Sequence, residues 1–441
     1  MYINCPMKEL IKTILYEWRE RKLPEIISRK VSLEKHLKSK VPKITVVSGF
    51  RRTGKTYLVF DLAKNLLQNK SKNKEQVIYI NFEDERIPNK AEFLTELLPT
   101  IKETFQYPPE IIFLDEIQNM FNWSKWVRRI YDKEKIRIFI TGSSSKMSSR
   151  EIPTELRGRC LEEKVYPLSF KEFLDFKKIK IDFSSIPYSE NEKVKLNKMM
   201  NEYLFYGGMP EVVLSEKENK FEIIQQYYKT VVRRDIIERF KIKNEEGLKA
   251  LLLLLLNSTS YSVSKLYNTL KSLNYQIGKT TLCRYISYIE NSYFLESVPI
   301  FSYKIKDQLQ YPRKVYFIDN GFINALSTKF SKNSGRLYEN FVFNELKRKA
   351  ALDAQIFYWQ DKKGREVDFV IKEGAKIKKL IQVSYDLSDL ETKQRETKGL
   401  VKASDELRCN DLTIVNRDFE GEEKVGNKKI KFIPLFRFIS S

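Results

Sequence analysis

An α/β fold, a parallel sheet with helices on both faces, is the class predicted for the amino-terminal part of this 441-residue chain. Two observations carry it. Apolar, β-rich runs recur at 44–47, 77–82, 111–114 and 136–140, with helix-like stretches between them, the order that builds a parallel sheet. The first run leads directly into Gly49-Phe50-Arg51-Arg52-Thr53-Gly54-Lys55-Thr56 and then a helix-like segment at 57–67, the strand-loop-helix setting of a phosphate-binding loop. In such a loop the glycines let backbone N–H groups close around phosphate oxygens. Lys55 reaches the β- and γ-phosphates, and the Thr56 hydroxyl ligates Mg²⁺. The expected ligand is ATP or GTP.

Ahead of this loop, residues 1–43 read as a charged helical adaptor, with helical spacing at 7–19 and Pro42 closing the segment. The run at 111–114 ends in Asp115-Glu116. Asp115 stands where a Mg²⁺-bound water needs a carboxylate, and Glu116 is placed to orient or activate the attacking water. The run at 136–140 ends in Thr141-Gly142-Ser143-Ser144-Ser145. Ligands of parallel sheets bind outside the carboxyl ends of strands, so Ser143 is chosen as a hydroxyl for the attacking water or the γ-phosphate. Phosphoryl transfer also gains from a guanidinium against the γ-phosphoryl oxygens. Arg157 and Arg159, in Glu155-Leu156-Arg157-Gly158-Arg159, are the candidates. Arg159 is preferred, acting either in cis or across a subunit interface of a homo-oligomer. The core is drawn as 44–175.

Residues 176–248 turn helical, at 191–205 and 222–240 around the turn Gly207-Gly208-Met209-Pro210. No catalytic spacing emerges there, so the stretch is read as a lid or connector. Residues 249–320 show helices near 248–257, 263–273 and 279–291, then strands at 294–301 and 314–318, a winged-helix order. The third helix of such a unit enters the major groove, which makes Lys279, Thr280, Thr281 and Arg284 the candidate DNA contacts. Residues 321–441 open with a helix at 335–349 and continue with strands at 355–359, 366–371, 379–384 and 412–415.

Composition narrows the partners. The formal net charge is +22, and the 80 Lys and Arg residues are spread along the chain, which favours a polyanion, nucleic acid before an anionic membrane surface. Cys5, Cys160, Cys283 and Cys409 are far apart and His36 is the sole histidine. That argues against a zinc site and a disulfide framework, leaves histidine acid–base catalysis a single candidate in a polar amino-terminal helix, and fits a reduced cytoplasm. The longest apolar run, 250–256, is far short of a membrane span, so a soluble protein is expected.

Taken with the loop, Asn81-Phe82-Glu83-Asp84, Leu114-Asp115-Glu116-Ile117-Gln118, Thr141-Gly142-Ser143-Ser144, Leu156-Arg157-Gly158-Arg159 and Tyr166-Pro167-Leu168-Ser169-Phe170 resemble the prokaryotic, archaeal-type AAA-type P-loop ATPase family. Tyr206-Gly207-Gly208-Met209-Pro210-Glu211, Arg233-Arg234-Asp235 and the end block extend the resemblance over nearly the whole chain. It implies a P-loop NTPase sheet, ATP in preference to GTP, and a carboxyl-terminal part of uncharacterised role.

The last domain resembles the restriction-endonuclease-like fold. That fold's metal chemistry needs a helix carboxylate, an Asp on one strand, and an acid-x-Lys on the next. Glu339 and Asp368 meet the first two demands, but the third element reads Gln382-Val383-Ser384. Glutamine is a poor ligand for a hard divalent cation, and Ser384 carries no charge. Lys379 or Lys393 could restore the lysine and Asp386 the acid. The departure favours a degenerate domain kept for nucleic-acid or partner binding. The leading expectation is thus an ATPase whose nucleotide state controls DNA binding. The alternatives are a nucleotide-gated protein-interaction switch and an ATP-regulated, metal-dependent nuclease.

Overall fold

The computed structural model describes residues 6–69, 72–142, 154–327, 334–351 and 353–440. They form two compact units, Met1–Tyr166 with Asn291–Tyr293, and Pro167–Glu290 with Phe294–Ser441.

The first unit runs α1 (Pro6–Glu20), α2 (Glu34–Leu37), β1 (Ile44–Ser48), α3 (Lys55–Gln68), β2 (Val77–Asn81), α4 (Ala91–Thr104), β3 (Ile111–Asp115), α5 (Trp123–Lys133), β4 (Arg137–Gly142) and β5 (Cys160–Lys164). The strand order is β2-β3-β4-β1-β5 and every pairing is parallel. Side chains alternate between two packed layers. Ile44, Val46, Ile78, Ile80, Ile112, Leu114, Ile138 and Ile140 meet α4 and α5 on one face. Val47, Val77, Tyr79, Ile111, Phe113 and Phe139 meet α3 on the other. Burial on both faces is why the strands read as continuous apolar runs. Strand β5 was not among the expected runs: Glu162, Glu163 and Lys164 break its apolar pattern, which an edge strand tolerates.

The stretch expected as a helical adaptor lies in the first unit. Helix α1 buries Ile11, Leu15 and Trp18 in the first unit, and the Trp18 indole donates to the Val77 carbonyl at 2.6 Å. Its apolar stripe gains more from covering the sheet than from solvent exposure.

The second unit begins with α6 (Phe170–Phe176), α7 (Glu190–Tyr206), α8 (Pro210–Leu214) and α9 (Lys220–Thr230), the last continuing as a π-helical stretch, Val231–Glu238. Then come α10 (Glu245–Leu256), β6 (Ser260–Tyr261), α11 (Val263–Ser272), α12 (Lys279–Asn291), β7 (Leu295–Val298), α13 (Ile305–Gln310), β8 (Arg313–Phe317) and α14 (Asn320–Leu326). Strands β6, β8 and β7 form an antiparallel sheet. The stretch read as a lid or connector lies in this unit, with α7 and α9 against α14. Asp319 anchors it: its carboxylate accepts the Gly208 N–H at 2.7 Å and the Gly321 N–H at 2.8 Å.

The chain ends with α15 (Ser334–Lys349), β9 (Ala354–Gln360), β10 (Glu366–Glu373), β11 (Lys376–Val383), α16 (Leu390–Leu407), β12 (Leu412–Asn416), β13 (Gly421–Val425), β14 (Lys428–Pro434) and α17 (Leu435–Ser440). The sheet order is β13-β14-β12-β11-β10-β9. It is parallel through β11, β12 and β14 and antiparallel elsewhere.

Candidate nucleotide-binding site

The loop after β1 is held by its own backbone chemistry. Gly49 has φ +147°, and a Cβ there would lie 2.2 Å from the Val165 carbonyl oxygen, so no side chain fits. Gly54, at φ +92°, turns the chain into α3, which favours a residue without a Cβ. The Thr53 hydroxyl donates to the Phe50 carbonyl at 2.9 Å and closes the loop on itself. Helix α3 starts at Lys55, so its first N–H groups and its positive dipole end meet the loop, as an anion site requires. The buried Lys55 ammonium donates to the Gly49 and Phe50 carbonyls at 3.2 and 3.1 Å. Arg51, in the same loop, pairs with Glu83 at 3.4 Å.

Asp115, 3 % exposed at the end of β3, is the centre of the site. Its Oδ2 accepts the Thr56 hydroxyl at 2.8 Å and the Tyr79 phenol at 2.7 Å, while Oδ1 accepts the Thr141 hydroxyl. Burial, with Asp115 alongside, pushes the Tyr79 phenol well above its ordinary range, so it stays a donor. Thr141 Oγ1 also accepts the Glu116 N–H at 3.1 Å. Glu116 has φ +54°, an uncommon conformation for a residue with a side chain, and its carboxylate accepts the Gln118 amide.

This arrangement fits Mg²⁺: a hydroxyl and a carboxylate, both hard oxygen donors, meet beside the helix start where phosphates bind. Thr56 and Asp115 would hold the ion, which when bound offsets phosphate charge. Lys55 and the loop N–H groups stand where phosphates would be held, and Glu116 where it would orient water.

Of the expected residues, the structure brings Lys55, Thr56, Asp115 and Glu116 together. Ser143 lies outside the described residues. Arg159 is not brought to the loop. Its carbonyl accepts the Ile44 N–H at 2.9 Å, at the amino end of β1, and its guanidinium reaches Asp132 at 3.3 Å. Because β5 runs parallel to β1 with Cys160 opposite Ile44, Arg159, just ahead of β5, lies about a strand length away from the loop, about 15 Å at 3.3 Å per residue. A cis arginine is therefore not supplied by Arg159. Tyr79 was not singled out, Ser143 was chosen from the hydroxyl run that Thr141 opens, and Gln118 was given no role. Tyr79 reads as core in an apolar run, and only the register of β2 on β3 sets it on the face of Asp115.

In the second unit, Glu339 and Asp368 do converge, around a residue that the sequence did not single out. The buried Lys314 ammonium lies 2.8 Å from Glu339, 2.6 Å from Asp368 and 2.5 Å from Glu366. Burial opposes its charge, yet these carboxylates hold Lys314 well above the ordinary lysine range. Burial, reinforced by Glu339 and Glu366, pushes the Asp368 carboxyl upward in spite of Lys314. Gln382 sits beside them, accepting the Asp368 N–H at 3.1 Å and donating to Glu396 at 2.7 Å. The lysines and acid expected to restore the pattern are elsewhere. Lys379 is three residues from Gln382 on β11 and so faces the other side of the sheet. Lys393 pairs with Glu423, and Asp386 is exposed, accepting the Ser388 N–H.

On α12, Lys279, Thr280 and Arg284 are exposed and Thr281 is half-buried, while Leu282, Tyr285, Ile286 and Ile289 face the core. No helix among the described residues is long and apolar enough to cross a membrane.

Three family models match the chain in succession: an AAA domain at 41–174 and two domains of unknown function, DUF8612 at 197–333 and DUF4143 at 334–438. An uncharacterized protein of Methanocaldococcus jannaschii is 40% identical over 409 residues, covering 90% of this chain and 88% of its own length. An uncharacterized protein of Haemophilus influenzae is 28% identical, covering 86% of this chain and 90% of its own. Among solved structures, a Walker-type ATPase of Pyrococcus abyssi aligns at 14% identity with a TM-score of 0.47, covering 67% of this chain and 93% of that one. The chain belongs to one family with its Methanocaldococcus relative, and it carries an AAA-type P-loop ATPase domain followed by two carboxyl-terminal domains of unknown function.

Proposed function

We propose that this protein hydrolyses ATP and couples its nucleotide state to DNA binding. One observation carries the ATPase reading: Thr56, at the start of α3, and Asp115 share a 2.8 Å hydrogen bond, with Glu116 next in the chain. Lys55 and the loop hold the phosphates, Thr56 and Asp115 the Mg²⁺, and Glu116 the attacking water. DNA binding is assigned to the first two turns of α12, where Lys279, Thr280 and Arg284 are exposed opposite a buried apolar face. The order of three helices and three short antiparallel strands supports a winged helix, and the net charge of +22 supports a polyanionic partner. The test is ATP turnover by the wild type, Lys55→Ala and Glu116→Gln, with duplex DNA titrated at several salt concentrations. Turnover lost in both variants, and DNA affinity that falls steeply with salt as counterions are displaced, is the expected result. Equal turnover in all three proteins overturns the catalytic assignment, and no DNA binding at low salt overturns the coupling.

One feature favours the second reading, a nucleotide-gated protein switch. Tyr303, Ile305, Leu309 and Tyr311, in and around α13, are 48–76 % exposed, a grouping of apolar side chains suited to a protein partner. Light scattering with and without ATP separates a homo-oligomer from a monomeric switch.

A further inference from the structure

We propose that Lys314 is a built-in cation that stands in place of the divalent metal of a nuclease-like site, and that its three carboxylates serve as a latch rather than as a cleavage centre. The donors present do not suit a metal. A hard divalent cation in a phosphodiesterase site needs carboxylates with open positions for water and phosphate. Here an ammonium, whose three N–H groups match three acceptors, lies within 2.8 Å of Glu339, Glu366 and Asp368. Asp368 and Lys314 are each 5 % exposed.

Part of the remaining acceptor capacity is taken up within the fold. Asp368 Oδ2 accepts the Val383 N–H at 2.8 Å, and Glu339 Oε1 accepts the Tyr316 phenol at 2.6 Å. Gln382, at the position where the fold would use an acid, bridges the Asp368 N–H and the Glu396 carboxylate with its neutral amide. A carboxylate at 382 would add a further negative charge to the cluster and repel Glu396. Glutamine at this position and lysine at 314 are therefore parts of one solution to the same charge problem.

The lysine also changes what the cluster does mechanically. Lys314 belongs to β8, paired with β6 and β7, whereas Glu366 and Asp368 belong to β10 and Glu339 to α15. Its ammonium ties the small antiparallel sheet to the six-stranded one. Removing one partner of such a buried charge group leaves the others uncompensated, which destabilises strongly.

The experiment uses full-length, nucleotide-free protein and Mn²⁺ as the probe. Mn²⁺ binding, thermal unfolding with and without Mn²⁺, and Mn²⁺-dependent plasmid cleavage are measured for wild type, Asp368→Asn, Lys314→Ala and Lys314→Ala/Asp368→Asn. Expected are a wild-type Mn²⁺ isotherm unchanged by Asp368→Asn, no cleavage, and a lowered Tm in Lys314→Ala. Mn²⁺ should restore most of that Tm, and should fail to do so in the double variant. A wild-type Mn²⁺ site or cleavage activity that disappears in Asp368→Asn would overturn the proposal and make Lys314 a residue of an active nuclease. A Lys314→Ala protein as stable as wild type, or one that Mn²⁺ does not rescue, also overturns it. If Lys314→Ala does not fold, the wild-type and Asp368→Asn comparison still decides between latch and nuclease.

Discussion

Thr56 Oγ1 donates to Asp115 Oδ2 at 2.8 Å, joining the first turn of α3 to the carboxyl end of β3. Replacing Thr56 by valine keeps the shape and removes the oxygen. Nucleotide affinity should then become insensitive to Mg²⁺, losing at least about tenfold in its presence, and Thr56→Ser should restore it. Calorimetric titration with and without Mg²⁺ reads both; an undiminished Mg²⁺ effect in Thr56→Val removes Thr56 from the metal site.

Tyr79 donates to the same carboxylate oxygen at 2.7 Å, and its ring packs on Trp18 and Phe60. Tyr79→Phe preserves the packing and deletes one buried hydrogen bond to a charged group, which costs about 1.5–3 kcal/mol. Chemical denaturation measures that loss. The Mg²⁺ concentration for half-maximal ATP turnover should rise as well, because Asp115 is less firmly oriented; a change in stability alone would make Tyr79 purely structural.

Arg159 pairs with Asp132 across the partly exposed surface at 3.3 Å, away from the loop. Arg159→Ala should change stability by less than about 1 kcal/mol and leave turnover of dilute, monomeric protein intact. Turnover compared across protein concentration is the check. A loss that appears only as oligomers form would place this arginine in a neighbouring subunit's site.

Asp319 makes stability depend on pH. Burial pushes its carboxyl up to about 6, against the pull of the Gly208 and Gly321 N–H groups. The folded state therefore binds the proton more tightly than the unfolded one between about 3.8 and about 6, so this group's contribution to stability falls as pH rises through that window. The full change is on the order of 3 kcal/mol. The stability of wild type relative to Asp319→Asn should accordingly increase as pH is lowered from 7 to 4. A difference that stays flat across that range rules out a raised carboxyl.

The loop and the acids after β3 were legible because each is a contiguous motif whose chemistry demands a local order of residues. The four apolar runs were legible because burial on both faces leaves no polar alternation. Strands β5 and β13 were not. Glu162-Glu163-Lys164 and Glu422-Glu423-Lys424 carry edge-strand charge, and their place in a sheet comes only from the partner beside them. Arg159 follows the serine-rich run in sequence, but it precedes a parallel return strand, which starts at the opposite end of the sheet from the loop. Tyr79, 36 residues from Asp115, looked like core because it is core at its ring and polar only at its tip.

By itself the sequence determined the α/β class, the phosphate-binding loop and the identities of Lys55, Thr56, Asp115 and Glu116, since short-range spacing encodes all of them. Tertiary structure decided which hydroxyls hold Asp115, where Arg159 lies, and that Lys314, 54 residues before Asp368, sits among the carboxylates Glu339, Glu366 and Asp368. Those facts depend on which strands become neighbours. Strand neighbours are selected by packing over long separations, so a buried charge and its counter-charge need share no local pattern.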